Sequence, residues 1–107
     1  MKRLRRKFPM AAVEKIEAAI RTRRCVAFTY NGRRRFVEPQ TLGLSATRKL
    51  LLRGYERTET EGALKLFELE KMQRLHGTEI AFPRARPGHN PHDSAMSPVI
   101  ASLPPPE

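Results

Sequence analysis

Near its start the chain carries apolar residues at three- and four-residue spacing, which is the period of an amphipathic helix. Val13, Ile16 and Ile20 fall on one stripe, with alanines beside them. Pro9 suits a first helical turn, because a proline at that position gives up no hydrogen bond. The arginines that follow Ile20 suit the negative end of the helix dipole. The spacing therefore predicts a helix over roughly 9–23.

Beyond this helix, apolar residues alternate with polar ones, as they do in β-strands. The first strand covers 25–30 and is followed by Asn31-Gly32, the strongest short signal for a hairpin turn. The next strand runs over 33–44 with a bend at Pro39, because proline cannot donate to a sheet ladder. Several short antiparallel strands predict a mostly β fold with one N-terminal helix, either a small barrel or a strongly bent sheet. Further strands are predicted over 49–56, 64–69 and 79–82.

The last quarter of the chain differs in composition from the rest. Seven of the nine prolines lie in residues 83–107, and this stretch shows no periodicity. Such a composition is typical of disordered segments. The first eight residues are mostly basic and precede the helix. We therefore expect a basic disordered arm over 1–8, a folded domain over 9–82 and a Pro-rich disordered tail over 83–107.

The charge of the chain points to a class of partner. Its 107 residues carry a formal net charge of +10, and the excess falls within residues 1–82. The length predicts one small domain. A positive charge of this size favours a polyanionic partner. We therefore expect nucleic acid or a nucleotide-like anion as the ligand.

The residues that usually carry catalysis or bind metals are few and scattered. The one cysteine, Cys25, lies in an apolar run and is expected to be a buried thiol. His89 and His92 lie in the Pro-rich stretch with only Asp93 near them, which does not favour a zinc site. The sequence shows neither a glycine-rich phosphate loop nor a catalytic constellation. We expect a protein without enzymatic activity, metal or cofactor.

No stretch of the sequence reaches the roughly 20 apolar residues that a membrane-spanning helix needs. The basic start of the chain is like the charged region of a signal peptide. However, Glu14 and Glu17 interrupt the apolar residues that follow it. We therefore expect a cytoplasmic protein that does not insert into a membrane.

Several short segments together suggest a known family. After the predicted helix come a Val-Ala-Phe-Thr-Tyr-Asn-Gly strand and turn (26–32), an Arg-Phe-Val-Glu-Pro segment (35–39), a Leu-Arg-Gly-Tyr-Glu strand (52–56) and a Phe-Glu-Leu-Glu-Lys-Met segment (67–72). In this order they resemble the WYL domain, a bacterial ligand-sensing module. The aromatic residues of the family's name are absent, because three leucines (50–52) stand where it has Trp-Tyr-Leu.

The resemblance implies a small SH3-like or Sm-like antiparallel β-barrel with a role in transcription regulation. In the family this barrel is proposed to bind nucleic acid or nucleotide-like anions. The winged helix-turn-helix domain that is common in the family is not expected in this chain. Lys71 takes the place of a family arginine, and lysine keeps the charge but lacks the bidentate fork.

The three arginines after the hairpin turn are the first candidates for anion contact. Because side chains alternate along a strand, Arg34 faces one side of the sheet while Arg33 and Arg35 face the other. Other cations lie on or beside predicted strands, and a tyrosine among them could stack on a base. Phosphate contacts should dominate, so that binding should depend on salt and select weakly for sequence. The candidate binding residues are Arg33, Arg34, Arg35, Arg53, Tyr55, Lys65 and Lys71.

The alternative interpretation is a protein-interaction or assembly module. Small open barrels leave strand edges available for pairing. The three leucines at 50–52 also place apolar side chains where the family has aromatic ones. A partner protein or a second copy of the chain would then cover this edge or face, which makes a homo-oligomer the alternative to a nucleic-acid complex.

Overall fold

The architecture is mostly β with one N-terminal helix, as the pattern predicts. It is known from a computed structural model, which describes residues 9–105. The predicted basic arm over 1–8 lies outside these residues. A single 3₁₀ turn, Leu69–Lys71, connects the fourth strand to the fifth. The elements are α1 (Met10–Thr22), β1 (Arg24–Tyr30), β2 (Arg33–Leu44), β3 (Leu50–Glu56), β4 (Ala63–Glu68), β5 (Gln73–Ala81) and β6 (Val99–Ser102).

Helix α1 forms where the apolar spacing predicts it. Val13, Ile16 and Ile20 are buried, and the helix packs against β1, β2 and β5. It ends at Arg23, whose φ of 57° is left-handed and whose backbone N–H bonds to the carbonyls of Ala19 and Ile20. Among residues 9–105, no helix is long and apolar enough to cross a membrane.

The six strands form one antiparallel sheet. Five of them lie in the order β4-β3-β2-β1-β5, and β6 pairs with the far end of β2. Within the described residues β4 and β5 do not pair with each other, so the sheet is open and a barrel is not confirmed. Strand β2 is the element on which the others are assembled, because β1, β3 and β6 all bond to it.

Two local signals in the sequence fix the shape of β2. The Asn31-Gly32 turn is confirmed, with φ values of 51° and 78° that both lie in the left-handed region a tight hairpin needs. The predicted bend at Pro39 is also present, as a register shift against β3 between Pro39 and Thr41. Such a bulge bends a strand, and here it separates the half of β2 that pairs with β1 from the half that pairs with β6.

The hydrophobic core joins the helix to the sheet. Val26, Val37 and Leu42 are fully buried in the same cluster as the buried residues of α1. Phe28 and Phe67 meet edge to face, with ring centroids 5.1 Å apart. This burial supplies the main stabilisation of the sheet.

Tyr30 links the two sides of the open sheet. Its ring lies edge to face against Phe67 of β4, with centroids 5.1 Å apart. Its hydroxyl oxygen accepts a hydrogen bond of 3.0 Å from the backbone N–H of Glu68. The end of β1 and the end of β4 are therefore connected through one side chain, although the two strands are not paired.

The structure corrects the predicted disordered tail over 83–107 for the residues that it describes. Strand β6 pairs with β2, and Ala85, Met96 and Leu103 are buried. Gly43 permits this close approach, because a Cβ there would lie 2.8 Å from the Cβ of Met96. The prolines suggested disorder, but the apolar and charged residues between them find partners on β2 and β3. The folded unit therefore extends well beyond residue 82.

We expect Leu103→Ala to lower the free energy of unfolding by about 2–4 kcal/mol, because it removes a buried side chain from the core. The measurement is urea denaturation followed by far-UV circular dichroism. Pro105→Ala, at an exposed position two residues on, is the matched control and should change stability by less than about 0.5 kcal/mol. Equal and negligible effects of both substitutions would mean that the tail is not packed.

Candidate functional site

Four of the seven candidate binding residues are engaged by carboxylates of the chain itself. Arg35 and Lys65 both reach Glu56, each with a nitrogen 3.0 Å from Oε1. Arg53 forms a bidentate pair with Asp93, with Nε–Oδ2 at 2.9 Å and Nη2–Oδ1 at 3.2 Å. These contacts neutralise charge that the sequence alone left available for a ligand.

The carboxyl groups of Glu56 and Asp93 are buried, yet their pKa values lie below the ordinary ones. Burial by itself raises the pKa of Glu56, but hydrogen bonds from Lys65 and Arg35 outweigh it and hold that pKa below its ordinary value. The hydrogen bond from Arg53 lowers the pKa of Asp93. Arg35 also donates from Nε and Nη2 to the carbonyl of Tyr30, so each of its three nitrogens has a protein acceptor.

Lys71 has a looser partner. Its Nζ lies 3.5 Å from Oε2 of Glu68, and the two side chains are 56% and 26% exposed. Exposed pairs of this kind contribute little to stability and exchange readily with solvent ions. Lys71 is therefore only partly neutralised.

Arg33 and Arg34 follow the hairpin turn and are exposed, as predicted. No carboxylate among residues 9–105 lies within 4.0 Å of either guanidinium. Arg33 pairs across the hairpin with Tyr30, and Arg34 pairs with Thr29. Since side chains alternate, Arg34 lies on the face that also carries Phe36 and Arg33 lies on the opposite one.

The face that carries Arg34 collects further groups that the sequence analysis did not select. Phe36 and Glu38 follow Arg34 at two-residue steps on β2, and Tyr55 of β3 pairs with Glu38. Arg57, just past β3, bonds through its backbone N–H to the carbonyl of Phe36. Arg86 reaches the same face from the C-terminal segment. We call this surface the Arg34 face; it consists of Arg34, Phe36, Glu38, Tyr55, Arg57 and Arg86.

Glu38 lies at the centre of the Arg34 face with only 1% of its surface exposed. Arg57 donates from Nε to Oε2 at 2.8 Å. Arg86 donates from Nε to Oε1 at 2.9 Å and from Nη2 to Oε2 at 2.8 Å. Burial raises the pKa of the Glu38 carboxyl, but the hydrogen bonds from Arg86 and Arg57 outweigh burial, so the pKa lies below its ordinary value. One buried carboxylate thus holds two guanidinium groups.

Both arginines also lie against aromatic rings. The guanidinium carbon of Arg86 is 3.9 Å from the centroid of the Tyr55 ring. That of Arg57 is 5.7 Å from the centroid of the Phe36 ring. Such cation–π contacts fix the plane of the guanidinium and are favourable when the ring is partly buried. Tyr55, the candidate for base stacking, therefore has one ring face covered by Arg86.

Gln40 anchors the backbone of the C-terminal segment at this point. It is fully buried, its Nε2 donates to the carbonyl of Glu38 at 3.1 Å, and its Oε1 accepts the backbone N–H of Arg86 at 3.0 Å.

Burial raises the pKa of the Cys25 thiol. The prediction of a buried Cys25 thiol is confirmed.

Sequence reasoning missed Glu38, Arg57 and Arg86 for different reasons. Arg86 lies in the Pro-rich stretch, which was expected to be disordered. Arg57 follows a strand and looks like any loop cation. A signal did exist at Glu38, because an acidic residue in a strand with apolar neighbours on both sides needs a buried partner.

No family model, no curated protein and no solved structure matches the chain. The resemblance to the WYL domain therefore stays a prediction from the sequence.

We expect Glu38→Gln to lower the free energy of unfolding at pH 7 by about 2–4 kcal/mol, because two guanidinium groups lose the buried charge between them. The pKa of Glu38 is lower in the folded protein than its ordinary 4.5. The stabilisation is therefore present above that value and is lost as the pH falls through the folded pKa. The stability of the unmodified protein should approach that of the variant on acidification.

Urea denaturation at pH 7 and at several values below pH 4.5 measures this convergence. Glu59→Gln, in the exposed loop after β3, is the matched control and should change stability by less than about 0.5 kcal/mol at pH 7. A constant difference between Glu38→Gln and the unmodified protein across this pH range would contradict an ionised, stabilising Glu38.

Proposed function

We propose that this chain is a non-enzymatic, WYL-like regulatory module of the cytoplasm that binds nucleic acid through the Arg34 face. The observation that carries the proposal is the arrangement of charge on that face. Its carboxylate, Glu38, is buried, whereas Arg34, Arg57 and Arg86 are exposed or half-exposed above it. Solvent therefore meets guanidinium groups on a rigid sheet. Phosphate oxygens are the natural partners of such groups.

The face suits phosphate contact better than base stacking. Each of its two aromatic rings, Phe36 and Tyr55, already has a guanidinium over it. A base that stacked on either of these covered ring faces would have to displace an arginine. Binding should therefore depend strongly on salt and show little preference for sequence.

Further cations elsewhere in residues 9–105 add to the overall positive field. Among residues 9–105, none of them has a carboxylate oxygen within 4.0 Å. A field of this kind steers polyanions toward the surface and falls off within a Debye length. These residues are Lys15, Arg21, Arg23, Arg24, Arg33, Arg48, Arg74 and Arg84.

We also propose that the open sheet is a form of the SH3-like barrel that the WYL resemblance implies. Two features support this. The 3₁₀ turn carries the chain directly from one edge strand, β4, to the other, β5. Tyr30 joins β1 to β4 across the opening through its ring and its hydroxyl.

The alternative, a protein-interaction module, has one observation in its favour. Strand β4 forms an edge of the sheet in the described part of the chain, and Leu66 on it is 39% exposed. A partner strand or a second copy would cover that edge. Light scattering tests self-association, and a strict monomer over a wide concentration range counts against the homo-oligomer.

We expect the protein to bind a fluorescent single-stranded oligonucleotide at low salt, with an affinity that falls linearly on a log–log plot against salt concentration. The double variant Arg34→Gln/Arg57→Gln should flatten the slope of that plot by about 1.4, because it removes about two phosphate contacts at about 0.7 each. Fluorescence anisotropy over a range of salt concentrations gives both affinity and slope. Arg86 still satisfies both oxygens of Glu38 in this variant, so the fold should persist.

The matched control is Arg21→Gln/Arg48→Gln, which removes the same charge from α1 and from the turn between β2 and β3. It should flatten the slope much less. Equal losses from the two double variants would refute a site on the Arg34 face. Absence of binding at low salt to both single-stranded and duplex oligonucleotides would refute nucleic-acid binding altogether.

A further inference from the structure

Arg57 and Arg86 form a pair whose hydrogen-bonding capacity is only partly used. A guanidinium carries five N–H groups. Arg57 donates to Glu38 from Nε alone, and Arg86 donates from Nε and Nη2. Within the described part of the chain, no protein acceptor bonds to Nη1 or Nη2 of Arg57 or to Nη1 of Arg86. The side chains are 34% and 39% exposed, so these donors are open to solvent.

We propose that Arg57 and Arg86 are a clamp for a phosphate group, with Glu38 as the residue that positions them. The inference deepens the proposed function and rests on it, because it assigns a discrete phosphate site within the Arg34 face. The ligand chemistry is a tetrahedral oxyanion with at least two free oxygens. The nucleic-acid backbone and a terminal phosphate both carry that group.

The clamp is assembled before any ligand arrives. Glu38 is buried and accepts three hydrogen bonds from the two arginines, which brings both guanidinium groups to one carboxylate. The rings of Tyr55 and Phe36 fix the orientation of the two guanidinium planes. Fixing an arginine side chain costs conformational entropy, because the side chain has many rotamers. Here folding already fixes both arginines, so ligand binding does not carry this entropy cost.

The balance of charge selects an anion. Two guanidinium groups meet one carboxylate, so the cluster keeps a net positive charge at the surface. Arg34 lies further along the same face and adds to it. Two guanidinium groups can donate hydrogen bonds to several oxygens of one anion, whereas a single-atom anion offers only one acceptor. The clamp therefore favours phosphate over chloride and over a monocarboxylate.

A second cluster in the protein also places two cations on one buried carboxylate, but its arginine is buried. Arg35 and Lys65 share Glu56, and the other two nitrogens of Arg35 donate to the carbonyl of Tyr30. Each nitrogen of Arg35 therefore has a protein acceptor, and only 8% of this side chain is exposed to a ligand. This contrast makes Arg35 an internal control within the same molecule.

The test is a titration of the full chain with inorganic phosphate at constant ionic strength, followed by ¹H–¹⁵N spectra of the arginine side chains. The signals of Arg57 and Arg86 should shift and saturate, while that of Arg35 stays unchanged. Acetate at the same concentrations should give shifts that do not saturate. Equal, unsaturated shifts of all arginine signals with phosphate would overturn the proposal.

Substitutions then separate positioning from charge. Arg57→Gln should weaken phosphate binding at least tenfold, and Arg57→Lys should weaken it several-fold although the charge is kept. Arg48→Gln, which removes one charge from the β2–β3 turn, should leave binding within a factor of two. Unchanged phosphate affinity in both Arg57 variants would overturn the clamp.

Glu38→Gln distinguishes a positioning role of Glu38 from an effect of charge alone. If only charge mattered, removing the negative charge of Glu38 should strengthen phosphate binding. We expect weaker binding, at least threefold, because the arginines lose the group that aligns them. If this variant does not fold, the two Arg57 variants decide the matter. Stronger phosphate binding by a folded Glu38→Gln variant would show that Glu38 does not position the clamp.

Oligonucleotides with and without a 5′-phosphate identify the source of the ligand group. A several-fold preference for the phosphorylated strand that disappears in Arg57→Gln assigns the clamp to a terminal phosphate. Equal binding of both strands, with equal weakening in the variant, assigns it to the backbone. Saturable phosphate binding without oligonucleotide binding would refute the proposed function but keep the clamp. Oligonucleotide binding without the phosphate signature would refute the clamp alone.

Discussion

Glu38 carries a negative charge in the middle of the sheet, where 1% of its surface meets solvent. An ionised carboxylate at that depth would be unstable without partners, because burial removes its hydration. Arg57 supplies one partner and Arg86 supplies two hydrogen bonds. Since Arg86 lies in the C-terminal segment, the need to satisfy one buried charge ties that segment to the sheet. The packing of Ala85, Met96 and Leu103 follows the same path.

Ion pairing with the chain's own carboxylates also determines which of its positive charges can meet a ligand. Glu56 of β3 neutralises Arg35 and Lys65, and Asp93 of the C-terminal segment neutralises Arg53. All three cations lie where a ligand surface was expected. The cations of residues 9–105 that have no carboxylate within 4.0 Å lie on the helix, on strands and in turns, and Arg34 is the one of them on the Arg34 face. A large formal charge therefore favours an anionic partner without indicating a surface. Only the pattern of internal ion pairs says which surface would receive it.

The sequence was sufficient where one residue determines a local conformation. Asn31-Gly32 fixed the hairpin, Pro39 fixed the bulge, and the spacing of Val13, Ile16 and Ile20 fixed the helix. It was insufficient for contacts between distant segments, such as that of Arg86 with Glu38, forty-eight positions earlier. The proline content led to a wrong prediction of disorder over 83–107. Whether such a segment is ordered depends on whether the residues between its prolines find tertiary contacts, which the local sequence does not show.

A buried carboxylate shared by two cations is by itself no sign of function, since this protein contains two such clusters. At Glu56 the surrounding backbone absorbs the free donors of Arg35, and the cluster is a structural element. At Glu38 the aromatic rings lie against the arginines, whose side chains are 34% and 39% exposed. Folding satisfies the carboxylate in both clusters, but at Glu38 three terminal nitrogens of the arginines have no protein acceptor among residues 9–105. The proposed phosphate group would bind these open donors of the Glu38 cluster.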